Sequence, residues 1–203
     1  MLLDLTKENL VIKLENTSDL IYPGAEKFFG HGQIIDYDID NIGIRAGWLL
    51  EELTFQNFGF SGVHLEASAL TDFIKQRFPV YYNEGKNKAK IEESSEKEKR
   101  ELIRKLSVQE AEKWWKEESL EWSRFKALVN SLKSSDERRQ VKGLFYIRNG
   151  KSLCTELNKE SYKSEIEPLI FVLSKSNIKR VSEQAKLILV DTEFEWLAIK
   201  PSK

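Results

Sequence analysis

The chain of 203 residues carries one cysteine, Cys154, which excludes an internal disulfide and a cysteine-based zinc site. Its two histidines, His31 and His64, are too few for a metal centre of their own. No apolar run approaches the ~20 residues that a membrane helix needs. The opening Met1-Leu2-Leu3-Asp4-Leu5-Thr6-Lys7-Glu8 lacks the basic-then-apolar layout of a secretory signal. Net charge is nearly absent too, with 32 Lys and Arg against 33 Asp and Glu. A balance of −1 gives no long-range field to draw nucleic acid or a membrane surface. No phosphate-binding loop and no dinucleotide fingerprint occurs. Gly59-Phe60-Ser61-Gly62 falls one residue short of a nucleophile elbow, so Ser61 reads as a turn serine. Cys154 stands in an amphipathic segment and reads as core. Together these absences set the expectation of a soluble, cytoplasmic protein that works without a cofactor and without catalysis.

What is present is globular: 40% hydrophobic residues and 11% aromatics, enough for one compact domain or two small ones. Leu10, Ile12 and Leu14 share one face at period two, so residues 9–15 read as a strand. Seven of the ten glycines fall between residues 24 and 62, which concentrates turns there. Ile35-Asp36-Tyr37-Asp38-Ile39-Asp40 alternates strictly and puts three carboxylates on one side of a strand. Residues 45–53 read as a helix burying Trp48, Leu49 and Leu53, with Leu50 a further candidate, and with Gly43 and Gly47 explained by close packing on a sheet. Gly62–Ala67 reads as a further strand, after which Ser68 caps a helix that Pro79 stops. Residues 1–83 are therefore expected to form a small α+β domain.

Lys, Glu and Arg dominate residues 84–106, the candidate boundary, read as a charged linker or a solvated helix. Residues 107–203 then read as helical. Ser107-Val108-Gln109-Glu110 has capping-box form and predicts a helix to Leu132, with Ala111, Trp114 or Trp115, Trp122, Phe125 and Leu128 on its apolar row. A second helix is expected from Asp136 to Arg148, with Val141, Leu144 and Phe145 inward and Asn149-Gly150 as its stop. Asn-Gly is also a hairpin signal, but the polar run from Asp136 to Gln140 favours the helix. A short helix through Leu153, Cys154 and Leu157 follows. Ser164-Glu165-Ile166-Glu167 repeats the capping-box form, with Pro168 in the opening turn of its helix. The last helix is expected over Ile178–Val190, and Phe194–Ile199 as a strand or docking segment.

This half repeats itself. Leu128, Val129 and Leu132 stand 41 positions before Leu169, Ile170 and Leu173. Ser135-Asp136 matches Ser176-Asn177 at the same offset, and one inserted residue later Gly143 falls on Ala185. The wording of the second unit, Ile166-Glu167-Pro168-Leu169-Ile170 through Glu183-Gln184-Ala185 to Ile188-Leu189, resembles the armadillo repeat pattern. The resemblance covers residues 120–191, about two units in the armadillo/HEAT period range. It implies an all-α, armadillo/HEAT-like second half that binds a protein or a nucleic acid along a groove. Two units are few for a free-standing array, so the first half is expected to cap them.

Candidate functional residues follow from these faces. Asp36, Asp38 and Asp40 form an acidic row suited to steering a basic partner. As a calcium loop it fails, because its sixth and twelfth positions hold Asn41 and Gly47. Trp114 and Trp115 are the aromatic candidates for partner contact. Arg138, Arg139, Lys179 and Arg180 take equivalent places in the two units and would line up as a basic stripe for phosphates. The leading expectation is a non-catalytic protein-binding protein, in its most concrete form a bacterial immunity or antitoxin-type inhibitor that grips a basic toxin. A nucleic-acid-binding repeat protein is the alternative, and a metal-dependent hydrolase around His31 and the aspartates ranks third.

Overall fold

A computed structural model describes residues 2–8, 42–149 and 157–190. Every described element is helical. In order these are α1 Leu2–Leu5, α2 Ile42–Thr54, α3 Leu70–Arg77, α4 Pro79–Asn83, α5 Asn87–Glu93, α6 Glu96–Glu118, α7 Arg124–Lys133, α8 Glu137–Asn149, α9 Lys159–Ser161, α10 Glu167–Leu173 and α11 Lys179–Val190. Short 3-10 turns cover Phe60–His64 and Ala67–Ala69, and a π turn, Tyr162–Ile166, joins α9 to α10. The strands expected at 9–15 and 35–40, the helix around Leu153 and Cys154, and the segment 194–199 lie outside the described residues. Among the described residues no helix is long and apolar enough to cross a membrane.

The chain forms two compact units: Met1–Leu50 with Phe58–Glu117, and Glu51–Asn57 with Glu118–Lys203. In the first, α2, α3, α5 and α6 enclose Ile44, Phe60, Leu70, Ile74, Ile91 and Ile103, each at most 2% exposed. The strand expected at Gly62–Ala67 is instead a 3-10 turn. Gly59 takes φ 108°, and the Gly62 and Leu65 amides donate to the carbonyls of Gly59 and Gly62. Val63 and Leu65 do alternate, but Gly59 supplies a left-handed turn that bends the chain before a ladder can start. Ser68 caps nothing with its side chain, because the helix opens through the 3-10 turn that precedes α3. The buried stripe of α2 includes the candidate Leu50 but not Leu49. Leu50 is buried and Leu49 half exposed, because Gly47 lies on the inner face, where a Cβ would come within 2.3 Å of the Phe60 ring. That close approach is to an aromatic ring, not to a sheet.

The charged stretch 84–106 belongs to this first unit. Ile91, Ile103 and Leu106 are buried, while the Lys and Glu residues cover the outer side of α5 and α6. Of four Ser-x-x-Glu sequences, at 95, 107, 134 and 164, only Ser95-Glu96-Lys97-Glu98 forms a capping box. The Ser95 amide and hydroxyl both donate to Glu98 Oε2, at 2.8 and 2.7 Å, and the Glu98 amide returns a bond to Ser95 Oγ at 3.3 Å. Those donors lower the pKa of the Glu98 carboxyl. Ser107, expected as a cap, is fully buried inside α6, one turn after Ile103. The single helix expected from 107 to 132 is two, α6 and α7, and Ser123 begins the second by accepting the Lys126 amide at 3.1 Å.

The second unit is a stack of two helix pairs. Within it α7 packs on α8 and α10 on α11, while α8 meets α11 and α7 meets α10. This is the arrangement of a generic helical-repeat array, with no specific repeat family identifiable. Leu128, Val129 and Leu132 lie in its core with Ile170 and Leu173, as the 41-residue offset requires. The second helices keep that same offset: Leu144 and Ile147 are buried where Ala185 and Ile188 are. Gly143 is still the crossing point, since a Cβ there would meet Ser131 Oγ of α7 at 2.4 Å. The insertion expected before the second helices is not carried into them, so Gly143 falls on Gln184 and not on Ala185; only the turns match at 42 positions. The Asp136 amide donates to Ser134 Oγ at 3.1 Å, and the Ile178 amide to Ser176 Oγ at 3.2 Å, 42 positions on. Phe145, expected inside, is 57% exposed; Ile147 takes its place.

The last capping-box sequence, Ser164–Glu167, is also unused. The helix opens earlier, at Asn158, whose side chain accepts the Glu160 and Ser161 amides while Ser161 Oγ accepts the Asn158 amide. Pro168 then lies inside a continuous helical run, where it lacks the amide and crowds the preceding turn. The π turn absorbs this: the Glu167 amide donates to Tyr162 O, five residues back.

Alanine at Gly47 or Gly143 gains about 1 kcal/mol of helix propensity. Overpacking of this kind costs about 1–3 kcal/mol. Gly47→Ala and Gly143→Ala should each lower the melting midpoint by a few degrees in circular dichroism. A rise in either would remove the close contact described for it. A second test uses Tyr162, which is 1% exposed. Burial, and then the charge of Glu167, push its phenol pKa above the ordinary 10.0. A raised folded-state pKa gives stability that is whole below pH 10 and declines above it, by at most about 1.4 kcal/mol per pH unit. Urea unfolding between pH 10 and 12 should show that decline, and Tyr162→Phe should flatten it. An unchanged slope would mean that Tyr162 ionises as readily folded as unfolded.

Candidate interaction surface

The densest polar contacts of the second unit gather on a piece of chain distant in sequence, Glu51–Asn57. Lys142 on α8 places Nζ 3.4 Å from both Glu51 and Glu52 carboxylates and donates to the Gln56 carbonyl at 3.2 Å. Arg139, one turn earlier, donates to the Phe55 carbonyl at 3.2 Å. Asn57 Nδ2 donates to Asp136 Oδ2 at 3.3 Å, while Asp136 Oδ1 accepts the Arg138 amide at 2.8 Å and so begins α8. Between these lies Phe55, 2% exposed, edge-on to Tyr146 at 5.1 Å. The Arg124 guanidinium sits over both rings, 4.6 Å from the Tyr146 centroid and 5.8 Å from that of Phe55. Phe55 has φ 53°, the left-handed region that a bulky side chain enters only under compulsion. Such a residue costs on the order of 1–3 kcal/mol and persists where its surroundings fix it.

This clamp accounts for one of the four basic residues expected to hold phosphates. Arg139 is half-buried and turned to Phe55; burial lowers its pKa, against the opposing charges of Asp136 and Glu118. Arg138 is exposed at the start of α8. Lys179 and Arg180 are exposed on α11, and Lys179 lies 3.9 Å from Glu183. The basic stripe is therefore broken at Arg139.

In the first unit Trp114 is half-buried against the Phe58 ring at 5.6 Å, and its neighbour Trp115, 5.8 Å away, is 40% exposed. Trp122, placed by the sequence on the same helix, packs on the core of the second unit. Asp36, Asp38, Asp40 and His31 lie outside the described residues. His64 stacks on Trp48 with ring centroids 4.9 Å apart. Among the described residues, no group of three His, Cys, Asp or Glu side chains could hold a metal ion.

Sequence reasoning passed over the apolar residues on the outer side of the second helix pair. Five of the eleven large apolar side chains exposed among the described residues fall within 20 positions: Phe171 and Val172 on α10, and Leu187, Leu189 and Val190 on α11. The signal was readable. Leu169-Ile170-Phe171-Val172-Leu173 is apolar all round, and a helix seven residues long can turn only one side inward. Ile170 and Leu173 take the inner side, so Phe171 and Val172 are left outside. Lys175 lies 4.1 Å from the Phe171 centroid, a cation over an aromatic face at the edge of this patch.

No protein-family model, no curated protein and no solved structure matches the chain.

Glu51 is 4% exposed, so removing its ammonium partner leaves a desolvated charge. Lys142→Ala should cost about 3 kcal/mol in chemical denaturation, the scale for breaking a buried pair. The double variant Glu51→Gln/Lys142→Ala should recover at least a third of that loss. Additive losses in this cycle would show that the two side chains do not interact.

Proposed function

We propose that the chain is a non-catalytic protein-binding protein that grips its partner through the outer side of α10 and α11. The observation that carries this reading is the exposure of five large apolar side chains, Phe171 and Val172 on α10 and Leu187, Leu189 and Val190 on α11, on a repeat-like stack of helix pairs. Apolar side chains grouped on one helix pair, with charges around them, are what a partner's surface can bury. Three bases, Lys179, Arg180 and Lys186, accompany two acids, Glu167 and Glu183, on these helices, and Lys175 stands in the turn between them. In the specific form expected from the sequence, an immunity or antitoxin-type inhibitor, binding by direct contact is the whole activity. The acidic row Asp36, Asp38 and Asp40 would then offer a separate surface to a basic toxin.

Nucleic-acid binding is the second reading, favoured by the exposure of Arg138, Lys179 and Arg180. Three cations without Arg139 make a short phosphate track on a chain with no net positive charge.

The test substitutes the two most exposed members of the patch, Val172 at 66% and Val190 at 73%. Val172→Glu/Val190→Glu should keep the far-ultraviolet helical signal, since surface changes of this kind stay within about 0.5 kcal/mol. It should lose at least tenfold in partner capture from lysate of the source cells, quantified by mass spectrometry against the wild-type chain. Equal capture by both would end the reading. Retention on a duplex DNA or RNA filter that weakens steeply with salt would transfer it to nucleic acid.

A further inference from the structure

We propose that α11 docks the C-terminal end of a helix from a partner protein, one with a base in its last turn and an aromatic residue just past it. This rests on the protein-binding reading and names the chemistry that the partner would bring. The same three positions occur twice in the second unit, and on α8 they are filled. There Arg139, Lys142 and Tyr146 hold the last turn of α2 and the residues after it. Their spacing, i, i+3 and i+7, puts them on one side of α8. The stack keeps its 41-residue offset through the second helices. That offset carries Arg139, Lys142 and Tyr146 onto Arg180, Glu183 and Leu187. A helix turns about 100° per residue, so these three fall within about 60° of one another. They lie on the side of α11 away from Val181, Ala185 and Ile188, which are buried. The three on α8 are half-buried beneath the segment they hold, and the three on α11 are exposed.

The substitutions say how a second ligand must differ from the first. Arg180 keeps the guanidinium that Arg139 offers to a carbonyl past the end of a helix, where the backbone carries partial negative charge. Glu183 replaces Lys142, which faces Glu51 and Glu52, so the acid in the ligand's last turn becomes a base. Leu187 replaces Tyr146, and at 44% exposure it still offers apolar surface to an aromatic ring. Lys179 and Lys186 would repel a basic ligand if they lay beneath it. They take the places of Arg138 and Phe145, which are exposed although the α8 site is filled. Both lysines therefore stand outside the footprint, and Glu183 is the acid inside it. Lys179, 3.9 Å from Glu183, is the competitor that the ligand's base displaces. Exposed ion pairs add little affinity, so Glu183 sets which partner docks more than how tightly.

Two synthetic peptides serve as probes, each an alanine-rich helix ending in the chain's own Glu51–Asn57 sequence. One is unchanged and the other carries Glu51→Lys/Glu52→Lys. Each is titrated to millimolar concentration into the nitrogen-15-labelled full chain at physiological salt, and amide shifts report where it binds. The lysine peptide should shift Arg180, Glu183 and Leu187 most and bind at least threefold tighter than the glutamate peptide. In the Glu183→Lys chain the preference should reverse, changing the ratio of the two affinities at least tenfold. Leu187→Ser should weaken the lysine peptide at least threefold while circular dichroism keeps the helical signal. A ratio that Glu183→Lys leaves unaltered would overturn the proposal, as would an absence of shifts on α11. Tighter binding of the glutamate peptide would give the site to an acidic ligand like the one on α8 and overturn it. Shifts at the same amides that grow with the concentration of the chain alone would give it to a second copy, with the same consequence. Lysate capture tests the protein-binding reading separately. Capture without the lysine preference would leave that reading and remove this site, and the preference without capture would do the reverse.

Discussion

The second unit depends on one residue held where it would not go by itself. Phe55 ends α2 in a left-handed conformation that costs a bulky side chain on the order of 1–3 kcal/mol. Burying a phenylalanine returns about 1.5–3 kcal/mol from surface alone, and the edge-on Tyr146 ring adds on the order of 1 kcal/mol. The local balance is close, so the surrounding bonds decide it. Arg139 fixes the Phe55 carbonyl, Lys142 fixes the Gln56 carbonyl and the Glu51 carboxylate, and Arg124 covers the two rings. Three cations on α7 and α8 thereby bind a segment far away in sequence as a receptor binds a peptide.

That arrangement changes the meaning of the basic residues in the first helix pair. Arg139 and Lys179 stand near the starts of matching helices, yet one holds Phe55 and the other is exposed beside Glu183. The two pairs are alike in core and unlike in what they present. The first pair has an intramolecular ligand in Glu51–Asn57. The second turns Phe171, Val172, Leu187 and Val190 outward. Likeness in the buried stripe carries the stack, while the outer sides of the two pairs differ.

Much of the helical half was legible because burial has a period. The 41-residue offset placed Leu128, Val129 and Leu132 over Leu169, Ile170 and Leu173, and the small residue Gly143 marked the crossing of α8 on α7. Helix starts were less legible. Ser-x-x-Glu occurs at 95, 107, 134 and 164, and only the first forms a capping box, because Ser107 lies within the buried stripe of α6, Asp136 begins α8 in place of Ser134, and Asn158 captures the start before Ser164. Local chemistry offers four equivalent starts; packing selects among them. The strand read at Gly62–Ala67 failed for a related reason, since alternation of Val63 and Leu65 says nothing about the left-handed Gly59 that turns the chain just before it.

By itself the sequence determined that most of 107–149 and of 159–190 is helical, that two pairs repeat, and which apolar residues of α7 and α10 face inward. These follow from spacing along one chain, which a helix converts directly into a side. Only the tertiary structure decided which cations are engaged, which capping sequence is used, and where Glu51–Asn57 goes. Those choices depend on groups up to 91 positions apart meeting in space. No local period encodes such a meeting.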